Sequence, residues 1–312
     1  MFIYEKAPFP KCHASTIVET GKDHYLAAWF GGKDEGAKDV QIWGSRFDGK
    51  AWTAPEVWGS EPGYPTWNPV LFFTAKDTLA LWYKAGPSPQ TWTGYVRWSS
   101  DVGKTWTKPD MLPASFYGPV RAKPLLLKDG TILAGTSVET HKNWTPFVDR
   151  STDGGKSWTR SNSFEVLGKF GQIQVALMET SPGYVVALMR SQNPRKLCRS
   201  ESKDGGKTFT PAEPLELPNP STGVDVVRFD SGEAYLICNP VPLGRTPLTV
   251  LKSNDDGKTW TKLIDLETEF GEYSYPAMVK TANGHLAITY TWRRTHIKFV
   301  VLDPKTGKLV IA

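Results

Sequence analysis

The chain has 312 residues, of which 39% are hydrophobic and 22% charged, with a formal net charge of +5. That balance fits a globular protein, and no run approaches the roughly 18 consecutive apolar residues of a membrane span. The lysines and arginines are not gathered into runs, which argues against a nucleic-acid partner, and the 13 tryptophans, 28 glycines and 24 prolines predict many strands and tight turns.

The chain opens MFIYEKAPFP. This stretch lacks a basic start, a long apolar core and a cleavage site, so no signal peptide is expected and the reading is a cytoplasmic protein. Met1–Tyr4 is instead a candidate closing strand. Three widely spaced cysteines, Cys12, Cys198 and Cys238, have no metal-ligand spacing and are expected as buried free thiols. No metal or other cofactor is expected.

An octet repeats along the chain: SSDVGKTW (99–106), STDGGKSW (151–158), SKDGGKTF (202–209) and SNDDGKTW (253–260). The copies start 52, 51 and 51 residues apart, and a degenerate copy, SRFDGKAW (45–52), precedes them, with Phe47 aligned to the aspartate. A fixed period of this length signals an array of like units, and 312 residues hold six of them. The third unit shows the layout: strands at Lys123–Leu127, Thr131–Ser137 and Phe147–Arg150, with the octet as the hairpin turn that follows. The last unit lacks an octet but offers strands at Ile297–Asp303 and Lys308–Ile311 around a Pro-Lys-Thr-Gly turn. The fold class is therefore all-β: one six-bladed β-propeller of four-stranded antiparallel blades, over residues 1–312.

Antiparallel order puts the octet turns at the end of each blade opposite the starts of the first strands. Function is sought at those starts and at the ends of the second strands. Counting back from each octet gives polar strand starts at His13, Asn68, Arg121 with Lys123, Gln174 and Asp225, and the unmarked sixth unit offers Tyr273. The second strands lead into loops that add Glu35 and Asp39, Lys84, Glu139, Arg190, Arg245, and Arg293 or Arg294. Trp67 and Trp292 offer flat surfaces of the kind sugars stack on. Several guanidiniums directed at one site suit a carboxylate, which the arginine fork binds in bidentate fashion.

The octet at this spacing, with ALMRS, LGRTPLTVLKS and EYSYPA, resembles the Asp-box repeats of the sialidase superfamily, and CHASTIVE, WFGGKDEG, WNPVLF, NPSTG and EYSYP resemble its predicted-neuraminidase (BNR-repeat) subgroup. The resemblance spans essentially the whole chain. It implies a glycosidase for a terminal acidic sugar, with a carboxylate clamp of three arginines, a tyrosine nucleophile, a glutamate that activates it and an aspartate acid/base. Arg190 and Arg245 match the second and third arginines, Tyr273 the nucleophile and Asp39 the acid/base. Two positions depart from the pattern: His13 stands where the first arginine is expected, and Gln174 where the activating glutamate is expected. The remaining candidates, Arg121, Lys123, Asn68, Trp67, Asp225 and Glu139, would then bind substrate. The expected partner is an acidic oligosaccharide or glycoconjugate.

Three readings stay open. One is hydrolysis through Tyr273 and Asp39. A second is elimination at a uronate, with His13 or Tyr273 moving the proton. The third is a glycan-binding propeller without catalysis. Histidine suits proton transfer because its unperturbed pKa, about 6.5, lies near working pH.

Overall fold

The computed structural model describes residues 1–166, 170–193 and 195–312. Its six sheets are each four-stranded and antiparallel, with neighbours in chain order, and no helix occurs among the described residues. The chain divides into two compact units, Met1–Tyr117 with Glu272–Ala312, and Gly118–Gly271.

The first unit holds three blades. Blade 1 is Lys11–Gly21, His24–Gly32, Gln41–Phe47 and Glu56–Gly59; blade 2 is Thr66–Ala75, Thr78–Ala85, Thr93–Ser99 and Asp110–Met111. Blade 6 is Tyr273–Lys280, Leu286–Trp292, His296–Asp303 and Lys308–Ile311. The predicted closing segment is present: the backbone N–H of Ile3 donates to Ile297 O at 3.0 Å and that of Phe299 to Met1 O at 2.9 Å. The N-terminal residues thus extend the outer edge of blade 6, beside its C-terminal strand.

The second unit holds the other three. Blade 3 is Leu125–Leu126, Ile132–Glu139, Trp144–Ser151 and Thr159–Arg160. Blade 4 is Gln172–Ser181, Tyr184–Ser191, Lys196–Ser202 and Glu213–Pro218, and blade 5 is Asp225–Arg228, Ala234–Cys238, Leu248–Ser253 and Thr261–Glu267. The predicted strand at Lys123–Leu127 shortens to Leu125–Leu126, because the chain before it leaves the ladder.

The second strands are apolar almost throughout, as expected for strands covered on both faces. Between blades, side chains from facing sheets interlock: Trp58, Leu26, Tyr83 and Leu81 in one seam, Leu133, Val175, Met189 and Phe209 in another. Burying each such side chain contributes about 1.5–3 kcal/mol. The aromatics that end two of the octets join these seams, Trp106 lying 5.5 Å from Trp58 and Phe209 stacking on Phe164 at 4.7 Å. All three cysteines are buried free thiols, and burial pushes each up to about 12.

The octets form the turn between the third and fourth strands, and one hydrogen-bond pattern explains their spelling. In the blade 4 copy, Ser202 Oγ donates to Asp204 Oδ1 at 2.8 Å and accepts the Gly206 N–H at 2.9 Å. Asp204 in turn accepts from the N–H groups of Lys207 and Thr208 and from the Thr208 hydroxyl, at 3.0, 2.9 and 2.6 Å. Partial burial disfavours its charge, but these bonds outweigh it and bring the carboxyl down to about 2. Gly206 adopts φ +80°, and a Cβ there would stand 2.7 Å from Leu133. Ser202 is 1% exposed. Ser202→Ala leaves the Gly206 N–H without its acceptor and is expected to cost about 1–3 kcal/mol in urea denaturation.

The degenerate octet needs a correction. Ser45 Oγ donates to Thr53 O, as Ser200 Oγ does to Thr210 O, so Ser45 corresponds to the residue two before the box serine. Phe47, paired with Tyr25, therefore replaces the serine rather than the aspartate, and the turn is two residues shorter. Asp48 does the aspartate's work by accepting the N–H groups of Lys50 and Ala51, both at 2.9 Å.

Candidate active site

The first strands do not run straight to their starts. In blades 1, 2, 4 and 6 the ladder shifts between His13 and Thr16, Trp67 and Val70, Ile173 and Ala176, and Ser274 and Ala277. Each of these bulges holds one residue in the left-handed region: Ala14 (φ 58°), Asn68 (39°), Gln174 (60°) and Tyr275 (50°). Such a conformation is costly for a bulky aromatic and clusters at functional sites. Counting along the ladders of blades 3 and 5 from Leu125–Leu133 and Asp225–Ile237 places Arg121 and Gly223 at the same position.

The equivalent set is thus Ala14, Asn68, Arg121, Gln174, Gly223 and Tyr275. Three of the six expected positions stand: Asn68, Arg121 and Gln174. His13 lies one residue before the bulge position and Tyr273 two before, whereas Lys123 and Asp225 lie two after. The physical reason is that bulges and loops vary in length, so a count from the octet drifts by one or two residues.

In the first unit, His13 is 1% and Tyr275 8% exposed, and their rings lie 4.1 Å apart. His13 Nδ1 is 2.9 Å from Thr291 Oγ1, which also accepts the N–H of Ala14 at 3.2 Å. Phe30 meets the imidazole edge-on at 5.7 Å. The imidazole is therefore fixed by strands of two blades, with Tyr275 against it.

Tyr273, expected as the nucleophile, is 1% exposed. It corresponds in register to Cys12, Thr66 and Gln172. The side chains of those residues bond Tyr4, Val40 O, and Phe170 O with the Val166 N–H respectively. They face connections beside their blades. Arg293 donates from Nε and Nη2 to Tyr273 Oη at 3.4 and 3.3 Å and lies 4.7 Å over Trp292. Glu272 accepts from Arg294 Nε at 2.7 Å and from Ser274 Oγ at 3.3 Å, and Arg294 also pairs with Glu35.

Asp39 is exposed in the loop after the second strand of blade 1, where it accepts the Lys33 N–H at 2.9 Å. Trp67 is 7% exposed, donates to Gly86 O at 2.9 Å and lies 6.2 Å from both Phe30 and Trp92. It is a packed wall, not the open stacking surface expected. Lys84 stands in blade 2 where Arg190 stands in blade 4, opposite Trp67 and Ile173 respectively, and burial pulls it down to about 7.

In the second unit, Arg190 lies 5.2 Å over Trp144, and Trp144 pairs with Glu139 across the ladder. Glu139 is 9% exposed; burial raises its pKa and the charge of Arg190 opposes that rise. Arg245 is half-buried, its carbonyl held by Asn239 Nδ2 at 3.0 Å. Lys123 Nζ pairs with Asp225 Oδ1 at 2.8 Å and donates to Val226 O at 2.9 Å. Arg121 Nη1 donates to Val224 O at 2.7 Å. Among the described residues no cluster of three or more His, Cys, Asp or Glu could hold a metal ion.

A family profile described as a BNR repeat-like domain matches residues 23–288. The chain belongs to that family. A sialidase of Bacteroides fragilis (strain YCH46) is 26% identical to this BNR-repeat protein over 227 residues, 66% of the chain and 41% of the relative. The solved Hadza microbial sialidase Hz136 superposes with a TM-score of 0.79 at 18% identity, over 93% of this chain and 65% of that one. A protein of unknown function from Dyadobacter fermentans DSM 18053 superposes with 0.80 at 21% identity, over 96% of both chains. The BNR-repeat protein thus spans less than two thirds of both sialidases, and the shared fold is the six-bladed β-propeller. Sequence reading passed over Tyr275 as the residue at the blade 6 bulge. Its signal lay in aligning the apolar residues Ile17, Leu71, Leu177, Val226 and Met278, each three positions after the bulge.

Proposed function

We propose that this protein is a sialidase-family glycoside hydrolase that releases a terminal acidic sugar. The observation that carries this reading is the tyrosine at the blade 6 bulge, in register with the buried polar residues Asn68, Arg121 and Gln174 and packed on His13. It gives Tyr275 the role that the resemblance implied for Tyr273.

At an anomeric carbon that bears a carboxylate, a neutral nucleophile avoids charge repulsion, which is why such enzymes use tyrosine in place of a second carboxylate. Tyr275 Oη attacks that carbon. His13, whose ring lies 4.1 Å from that of Tyr275, is the neighbouring base for the phenolic proton. Asp39, exposed on its loop, protonates the departing glycosidic oxygen. The resemblance assigns the sugar carboxylate to Arg190 and Arg245 of the second unit, and in the last step water cleaves the sugar from Tyr275. Positioned proton transfer contributes roughly 10²–10⁴-fold to such a step.

The test is incubation with sialosides and uronate-capped oligosaccharides. Release of free sialic acid supports the proposal. Arg190→Ala is expected to raise KM for the sialoside about 30-fold or more, because it removes one arm of a charge-assisted clamp. The His13–Tyr275 pair also favours a second reading, elimination at a uronate with His13 taking the proton beside the carboxylate. A new ultraviolet absorbance from an unsaturated uronate, without free sialic acid, would support that reading. Binding without turnover would leave only a glycan-binding propeller.

A further inference from the structure

The second and third strands of blade 6 are joined by a turn whose central residues are Arg293 and Arg294, with the Thr295 N–H donating to Trp292 O at 3.1 Å. Both arginines are left-handed, at φ 50° and 61°. A turn of this hand favours asparagine and glycine, because a longer side chain is strained there. Strain of this kind is kept where the side chains serve a site.

Arg294 joins two other segments of the first unit. Its Nε donates to Glu272 Oε1 at 2.7 Å, while Nη1 pairs with Glu35. The turn that carries the guanidinium is itself fixed: Arg294 O accepts the Cys12 N–H at 2.8 Å, and the Arg293 N–H donates to Glu272 O at 2.7 Å. Burial opposes the Arg294 charge, but the two carboxylates outweigh it and raise its pKa. An isolated pair on mobile side chains would contribute little; here the backbone behind the cation is held.

Glu35 lies on the loop that carries Asp39. The loop is shaped by its own bonds, with the Lys33 N–H donating to Asp39 Oδ2 at 2.9 Å and the N–H groups of Ala37 and Val40 donating to Asp34 O and Ala37 O, both at 3.0 Å. Gly36 rests on the indole of Trp67, where a Cβ would stand 3.3 Å from the ring. Those contacts shape the loop and set it on blade 2, and the Arg294–Glu35 pair ties it to blade 6.

We propose that Arg294 is a positioning residue for the acid step: through Glu35 it fixes the Asp39 loop, so that the Asp39 carboxyl meets the departing glycosidic oxygen. The inference rests on the hydrolase reading above, in which Asp39 is the acid. An acid on a loop needs such a tether, since a misplacement of about 1 Å can cost roughly 10²-fold in rate.

Two substrates that differ in their leaving group test this. The lactose of sialyl-lactose must be protonated as it departs, whereas 4-nitrophenolate leaves an aryl sialoside without a proton. The ratio kcat/KM reports the bond-breaking step for both. Arg294→Asn places a residue suited to a left-handed turn, and Glu35→Gln leaves Arg294 its bond to Glu272. In both variants kcat/KM on sialyl-lactose is expected to fall about 30-fold, and on the 4-nitrophenyl sialoside by no more than about 3-fold. A merely structural role would lower both together. Glu35→Gln decides if Arg294→Asn folds poorly. Equal losses on the two substrates, or unchanged values, overturn the proposal and leave the hydrolase reading intact. No hydrolysis of either substrate by the wild-type chain overturns both.

Discussion

Tyr275→Phe is expected to lower kcat on a sialoside by at least about 10³-fold, while Tyr273→Phe lowers it by no more than a few-fold. The two tyrosines are two residues apart, yet the bulge between Ser274 and Ala277 separates their surroundings. Tyr275 takes a left-handed backbone and meets His13; Tyr273 lies against Trp292 under Arg293. Removing the Tyr275 hydroxyl deletes the attacking atom and leaves the ring contact with His13 in place. Steady-state kinetics on the two purified variants checks the contrast. A larger loss in Tyr273→Phe would reverse the assignment.

The second large effect is on stability. Asp149 is 0% exposed in the third strand of blade 3, and Arg160 on the fourth strand grips it with two bonds, Nε to Oδ1 at 2.7 Å and Nη2 to Oδ2 at 3.0 Å. Burial pushes the Asp149 carboxyl above the ordinary range, and Arg160 pulls it back in part. Arg160→Ala strands a buried carboxylate and is expected to cost about 3 kcal/mol at neutral pH, at the low end for a broken buried pair because the Arg160 side chain is 19% exposed.

The sign of the pH dependence follows from the raised pKa. In the variant, the folded chain holds the Asp149 proton more tightly than the unfolded chain, whose carboxyl titrates near about 3.9. The folded state therefore binds more protons, and stability falls as pH rises from that value through the raised folded pKa. The deficit should shrink on acidification through this window, and Asp149→Asn in the same background should remove the dependence. Urea titrations across that pH range measure it.

Much of the fold was legible because the octet is a local device. Its serine, aspartate and glycine serve one turn, so the same letters recur wherever that turn does, and four clear copies mark their blades. The end of each blade opposite the octet turns was legible too, since antiparallel order leaves no choice. The degenerate copy misled because Ser45 bonds outside the turn, and letter matching cannot separate it from the box serine. Blade 3 begins with only Leu125 and Leu126 in the ladder, because Arg121 and Lys123 turn aside to bond blade 5.

The site was legible in residue types more than in positions. Asn68, Arg121 and Gln174 fell where a count from the octet put them, whereas His13 and Tyr273 missed the register by one and two residues. A bulge sets two residues on one strand against one on the other, and composition does not reveal it. Trp67 read as a sugar platform because its indole is large and flat. Its burial depends on Phe30 and Trp92, which sequence proximity does not connect to it.

The central claim is that a tyrosine on the blade 6 bulge forms a covalent bond to the sugar. A fluorinated sialosyl fluoride, whose electron-withdrawing substituent slows release of the sugar, is the direct probe, read by peptide mass spectrometry. The account predicts one sugar adduct on Tyr275 of the wild-type chain and none in Tyr275→Phe. An adduct on Tyr273, or turnover of a sialoside with no adduct on either tyrosine, would contradict it.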